Sequence, residues 1–184
     1  MILKIVFYPD PVLRKVGTPV KEVTKEIREL SSNMLETMYD ANGVGLAAQQ
    51  VGEAIQLAIV DVSYNPECIS YLRVNGENKT LEEICPLIFI NPELDLIGRK
   101  DTEVEGCLSF PELQGDITRS SEVKAKVTTL DGEKLLIETD GLFARAIQHE
   151  TDHLLGKLFI DRMSSAKKMA SKRLLKEIQV AYKG

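Results

Sequence analysis

The chain has 184 residues, 43% hydrophobic and 28% charged, a balance that sets aside disordered and fibrous proteins and leaves room for one globular domain, or one with an appendage. Lys and Arg number 23 against 28 Asp and Glu, a net charge of −5, which argues against a surface made for nucleic acid or for an anionic membrane. Three widely spaced cysteines, Cys68, Cys85 and Cys107, make no disulfide framework, and no run reaches the ~20 apolar residues of a membrane span, so a reducing, cytoplasmic setting is expected.

Lys4 and Pro9 interrupt the first short apolar run, and no signal peptide is expected. From 24 to 39 the apolar residues Ile27, Leu30, Met34 and Met38 recur every three or four positions, which predicts an amphipathic helix stopping at Asn42-Gly43. The runs 55–62 and 87–90 are short and rich in Ile and Val, as buried strands are. Between them, 63–85 is polar and irregular and reads as a long loop. Val123, Ala125, Val127 and Thr129 alternate with Lys124, Lys126 and Thr128, and Asp131-Gly132 separates them from 134–139, the strongest hairpin signal in the chain. A second helix is predicted from Asp140, a candidate N-cap, to Leu155, with Gly156 ending it. A third is predicted over 165–182. Strands among helices, without a strand-helix repeat, predict an α+β fold.

The chain's two histidines, His149 and His153, stand four apart with Glu150 after the first, in H-E-T-D-H. On a helix, positions i and i+4 share a face, so both imidazoles can reach one metal ion. Leu142 and Ala146 continue that face, which therefore looks inward. Glu150 then stands beside the site, where a carboxylate can take a proton from an activated water and return it to a leaving group. A helix with two ordinary histidines is the plainer reading. A zinc peptidase is a second: H-E-x-x-H-x-x-G-x-x-H matches through Gly156 but meets Phe159 at its last ligand, and of the later acids Asp161 and Glu177, Glu177 is a poor candidate on a peripheral helix. A structural metal site with Cys85 as fourth ligand is a third. Cys107, in Glu105-Gly106-Cys107-Leu108-Ser109, could complete a Cys-His-His set with an open fourth position, the catalytic pattern, or be an inert core thiol. Gly43-Val44-Gly45-Leu46-Ala47-Ala48-Gln49-Gln50 is small and flexible where the first helix ends, and alone could be only a turn.

Taken together, GVGLAAQQ, EGCLS and QHETDH resemble in order and spacing the three motifs of the peptide deformylase family, G-x-G-L-A-A-x-Q, E-G-C-L-S and Q-H-E-x-D-H. Tyr8-Pro9-Asp10-Pro11-Val12-Leu13-Arg14 resembles the family's start, and the resemblance covers residues 3–162. It implies mixed or antiparallel β-sheets packed around a central HExxH helix, with an additional C-terminal helix. It also implies a metal-dependent hydrolase that removes the formyl group from N-formylmethionine on new polypeptides and releases formate. Cys107, His149 and His153 would hold one divalent ion, Fe(II) by the resemblance, with Zn, Ni or Co as replacements. Glu150 would be general base and then acid; the Gln50 side chain and the Leu108 N–H would donate to the developing oxyanion. An extended peptide is expected beside the glycine loop, paired with Gly45 and Gly106. Val44, Leu108, Leu142 and Ala146 would wall a methionine pocket with His149 at its base. Glu105 and Asp152 are expected as supporting acids, with Arg119 as partner of Glu105. Many bacterial members carry an Arg five residues after the serine of EGCLS; here Gln114 stands there. The 63–85 stretch is longer than in compact members and has no assigned role.

From 162 to 184 the chain carries net +6, against −11 for the preceding 161 residues. The expected organisation is a catalytic domain over 1–163 and a basic C-terminal helix over 164–184, packed on or extending from it. In this family such a helix can dock on the ribosome, and Lys167, Lys168, Lys172, Arg173 and Lys176 would face RNA phosphate; a solvated helix face is the alternative.

Overall fold

A computed structural model describes residues 1–66 and 68–182. Glu67, inside the 63–85 stretch, and Lys183 and Gly184, at the end of the basic tail, lie outside the described residues. Helix α1 (Lys25–Asp40) begins after Thr24, buries Met34 and Met38, and ends where Asn42 takes a positive φ of 53°. It lies against β1 (Gly45–Ala47) and β2 (Leu57–Val60).

The 63–85 stretch is more ordered than expected. Strands β3 (Leu72–Val74) and β4 (Glu77–Asn78) form a hairpin whose corner, Asn75-Gly76, has positive φ at both residues, 52° and 85°. Asn-Gly is the pair that such a tight turn favours. A short helix α2 (Leu81–Ile84) follows, with the Glu83 carboxylate accepting from the Thr80 N–H at 2.7 Å, the T-x-x-E capping signature. Both signals stand in the sequence, and both are short enough to pass for loop.

Strands β5 (Leu87–Cys107), β6 (Phe110–Thr128) and β7 (Lys134–Asp140) complete a seven-stranded sheet ordered β1-β2-β5-β6-β7-β3-β4, antiparallel throughout. The predicted hairpin is present, pairing Val123 with Thr139 and Thr128 with Lys134. The predicted strand 87–90 is only the start of β5, which runs on for 21 residues. Beyond Ile97, β5 and β6 pair largely with each other, with register shifts at Ile90/Glu93, Ile97/Lys100 and Gly106/Cys107. Such shifts bend a strand and increase its twist, and this ribbon returns to the body with Cys107 at its end.

Helix α3 (Gly141–Leu154) is buried from Phe143 to Leu154. Leu57 and Ile59 of β2 pack toward Met34 and Met38 of α1, whereas Ala58 and Val60 join Phe143, Ala144 and Ile147 of α3. Alternate residues of a strand face opposite sides, so β2 is apolar throughout because a helix covers each face. Gly156, at φ 69°, ends α3, and a Cβ there would stand 2.4 Å from the Arg14 carbonyl oxygen. Glycine is required by conformation and by space at once.

The third helix is two: α4 (Ser165–Ala170), capped by the Ser164 hydroxyl, and α5 (Lys172–Ala181), meeting at buried Ser171. Ile178, Leu174 and Leu175 pack with Leu13, Phe110, Ile117 and Met163, so the C-terminal segment lies on the same body as the sheet. Among the described residues no helix is long and apolar enough to cross a membrane.

Candidate active site

His149, Glu150 and His153 come from α3, Cys107 from the last position of β5, and Gln50 from the tight turn Ala48–Val51 that follows β1. The ligand atoms of Cys107, His149 and His153 lie within 4.8 Å of one another, and Cys107 Sγ is 3.3 Å from His153 Nε2. Cys85 is not part of this group; it packs against the hydrophobic core. Glu177, on exposed α5, is paired with Arg173. Gln50 Oε1 accepts from the Ala47 N–H at 2.9 Å, which fixes its amide so that Nε2 points at Cys107 Sγ (3.5 Å) and Ser109 Oγ (3.3 Å).

Above this group opens a cavity of about 560 Å³. Val44, Gly45, Gln50, Gly106, Cys107, Leu108, Leu142, Ala146, His149 and Glu150 all line it, and only His153, 1% exposed, lies beneath. Gly45 sits directly against the Glu150 carboxylate: a Cβ there would be 2.3 Å from Oε1. Gly45→Ala is therefore expected to displace the Glu150 carboxylate and, with an unchanged circular dichroism spectrum, to lower the catalytic rate about 10²-fold, the scale on which ~1 Å misplacements act.

Around the histidines runs a buried ionic lattice. His149 Nδ1 donates to Glu105 Oε2 at 3.0 Å, and Arg119 clamps Glu105 with Nε (2.6 Å) and Nη2 (2.9 Å) while its Nη1 reaches Asp152 at 2.8 Å. Arg162 adds two bonds to Asp152, at 2.5 and 2.6 Å. Arg145 gives Nη1 to Glu105 Oε1 and to the Ile117 carbonyl. Glu105, Asp152 and Arg119 are thus brought together as the sequence suggests, whereas Arg145 and Arg162 were missed. Arg145 had a signal: it stands four residues before His149, a cation on a face read as inward.

Burial alone would raise the Glu105 carboxyl, but hydrogen bonds from His149 and Arg119 hold it far below the usual carboxylate range. Asp152 is likewise held low against burial by Arg162 and Arg119, and Arg119 high against burial by Glu105 and Asp152. Glu150 accepts no such bonds; burial outweighs the charges of His149 and Arg119, which favour its ionised form, and pushes it up to about 7. Burial, reinforced by the charges of His149 and Arg119, drives His153 well below its usual value and so keeps it neutral. Burial opposes protonation of His149 too, yet Cys107 and Glu105 raise its affinity for a proton. A half-buried thiol and imidazoles competing for one positive charge fit a metal cation, and the Glu150 Oε2 atom, buried without a hydrogen-bond partner, fits a water held beside it.

Residues 2–169 match the family model described as polypeptide deformylase. The chain belongs to that family. A peptide deformylase of Methylacidiphilum infernorum is 47% identical over 179 residues, 97% of this chain and 94% of that protein. Among solved structures, the Legionella pneumophila peptide deformylase superimposes with a TM-score of 0.81 at 33% identity over the whole of both chains. The Plasmodium falciparum enzyme gives 0.82 at 32% identity, covering 97% of this chain and 96% of that one. The polypeptide deformylase family thus accounts for the α+β fold and makes the chain a hydrolase of N-terminal protein processing.

Proposed function

We propose that the chain removes the N-formyl group from N-formylmethionine at the start of newly made polypeptides and releases formate, using a divalent ion held by Cys107, His149 and His153. The observation that carries this reading is the meeting of those three ligand atoms within 4.8 Å at the floor of the cavity, beside a buried carboxylate. When bound, such an ion polarises the formyl carbonyl and makes a water nucleophilic near neutral pH. Glu150 takes the water's proton and passes it to the departing α-amine. Gln50 Nε2 and the Leu108 N–H donate to the oxygen on which negative charge grows; donors of this kind are worth about 3–4 kcal/mol each.

The substrate backbone pairs with Gly45 and Gly106. This rests on β1 being the edge strand of the sheet. The Asp61 N–H donates to the Val44 carbonyl at 2.9 Å, so Gly45, one residue on, turns its own N–H and C=O away from β2 and toward an added strand. Val44, Leu142 and Ala146 wall the methionine pocket. Fe(II) is the ion proposed, with Zn, Ni or Co able to take its place, since three mixed N/S ligands suit them all. Cys107→Ala, which removes the only thiolate of the set, is expected to lose the ion to a chelator that leaves the parent loaded, as metal analysis after dialysis would report.

The proposed setting is the cytoplasm, with residues 1–163 as the catalytic domain and 164–184 as a basic appendage that docks on the ribosome. Lys168, Lys172 and Lys176 are exposed on it. Changing all three to Gln removes three phosphate-directed charges without touching the apolar face. It is expected to cut ribosome co-sedimentation at low salt by about tenfold or more, since each such contact carries a steep salt dependence, with formate release from a short peptide unaltered.

The deciding experiment is formate release from N-formyl-Met-Ala-Ser by protein loaded anaerobically with Fe(II), beside the same peptide N-acetylated. Release from the formyl peptide alone supports the proposal; no release by folded, metal-loaded protein overturns it.

A further inference from the structure

We propose that Arg145 is a specificity residue in the wall of the methionine pocket, and that through it the site accepts polypeptides whose first formylmethionine has been oxidised to the sulfoxide. The proposal rests on the deformylase reading above and adds a second form of its substrate. Leu142, Arg145, Ala146 and His149 stand on α3 at spacings that put them on one face of the helix. All four line the cavity. The helix face that walls the methionine side chain is therefore not wholly apolar: it carries a guanidinium.

Arg145 is not needed there to hold Glu105. Arg119 already engages both Glu105 oxygens, through Nε and Nη2, and His149 Nδ1 adds a second bond to Oε2. The lattice sets three guanidiniums, Arg119, Arg145 and Arg162, against two carboxylates, Glu105 and Asp152. The acid nearest to balancing the surplus, Glu103, stands 3.8 Å from Arg145 Nε with its side chain 59% exposed. Nor are the donors of Arg145 used up. Nη1 gives its two hydrogens to Glu105 Oε1 (2.8 Å) and the Ile117 carbonyl (3.0 Å), and Nη2 gives one to the Asp101 carbonyl (3.2 Å). The second Nη2 hydrogen and that of Nε make no hydrogen bond among the described residues, in a side chain only 8% exposed. A buried cation with hydrogens to spare favours a ligand atom that accepts them. The sulfur of a thioether accepts weakly. Oxidation converts it to a sulfoxide, polar and on the same carbon skeleton, whose oxygen is a strong acceptor of partial negative charge.

The test compares formate release from N-formyl-Met-Ala-Ser with release from the same peptide carrying methionine sulfoxide. For the parent protein, kcat/KM with the sulfoxide is expected within about tenfold of that with methionine. Arg145→Met keeps the length of the side chain and leaves the sulfoxide oxygen to be buried without a donor. It is expected to widen the ratio about ten- to hundredfold, the scale on which an unpaired buried polar group is rejected. Taking the ratio cancels any general loss of activity from the disturbed lattice. Arg145→Lys, which keeps a charged donor, should recover part of it. A parent protein that turns over the methionine peptide but disfavours the sulfoxide more than about 100-fold overturns the proposal without any variant, and so does a ratio that Arg145→Met leaves within about twofold of the parent's. Failure of the parent protein to release formate from either peptide would instead defeat the deformylase reading itself.

Discussion

Glu150→Gln is expected to retain one metal ion per chain and to lose about 10²–10⁴-fold in kcat, the range attributable to a positioned general acid-base group. The substitution keeps the shape that packs against Gly45 and removes only the ability to move a proton. Metal analysis beside formate release separates this from a loss of the ion. The pH dependence follows with its sign. The base must be a carboxylate, and burial raises its pKa to about 7, so activity rises with pH. A bound cation favours the charged form and draws that value down. The acidic limb of the parent's pH–rate profile is therefore expected at or below pH 7, and Glu150→Gln should lack it.

The second large effect is on stability. Arg119→Met leaves Glu105 and Asp152 without their shared guanidinium, and side chains that are only 1%, 6% and 8% exposed cannot turn to water instead. Breaking a buried pair from one side costs about 3–5 kcal/mol, or about 10 °C in Tm for a chain of this length. Arg14→Met is the useful contrast. It breaks the pair with Asp161, whose side chains are 45% and 40% exposed, and exposed pairs are worth no more than about 1 kcal/mol. Both Glu105 and Asp152 have depressed pKa values in the native protein. The stability they contribute is full above their unfolded values near pH 4 and is lost as pH falls through the lower folded ones. Arg119→Met loses the share of that contribution that Arg119 supplies, His149 and Arg162 keeping the rest, so the stability gap between the two proteins is expected to narrow on acidification. Thermal melts between pH 7 and pH 3 would show it.

Helix α3 was the most legible element because every level of the sequence agreed on it: an acid before the start, an inward face through Leu142, Ala146, His149 and His153, and Gly156 to end it. The β5–β6 ribbon was the least legible. Residues 98–106, Gly-Arg-Lys-Asp-Thr-Glu-Val-Glu-Gly, show no alternation of apolar and polar side chains. A two-stranded ribbon has no face fully covered by core, so nothing in its pattern need repeat. The site's ligands were legible because a chelate written into one helix needs only spacing. The lattice behind them was legible in part: Glu105, Asp152 and Arg119 were expected together, whereas Arg162 comes from the turn after α3, whose return onto Asp152 only the fold reveals.

That lattice has a consequence for how the centre is completed. Cys107 and the two histidines come from segments more than 40 residues apart, and Glu105, Arg119, Arg145, Asp152 and Arg162 join those segments by bonds that involve no ion. The cradle is thus held by bonds of the chain itself, and metal loading is expected to be separable from folding, as a circular dichroism spectrum unchanged by chelation would show. An ion that enters a finished cradle can leave and be exchanged at constant fold. The supply of metal in the growth medium and in the buffers of purification, more than the folding reaction, then decides which element a given preparation carries.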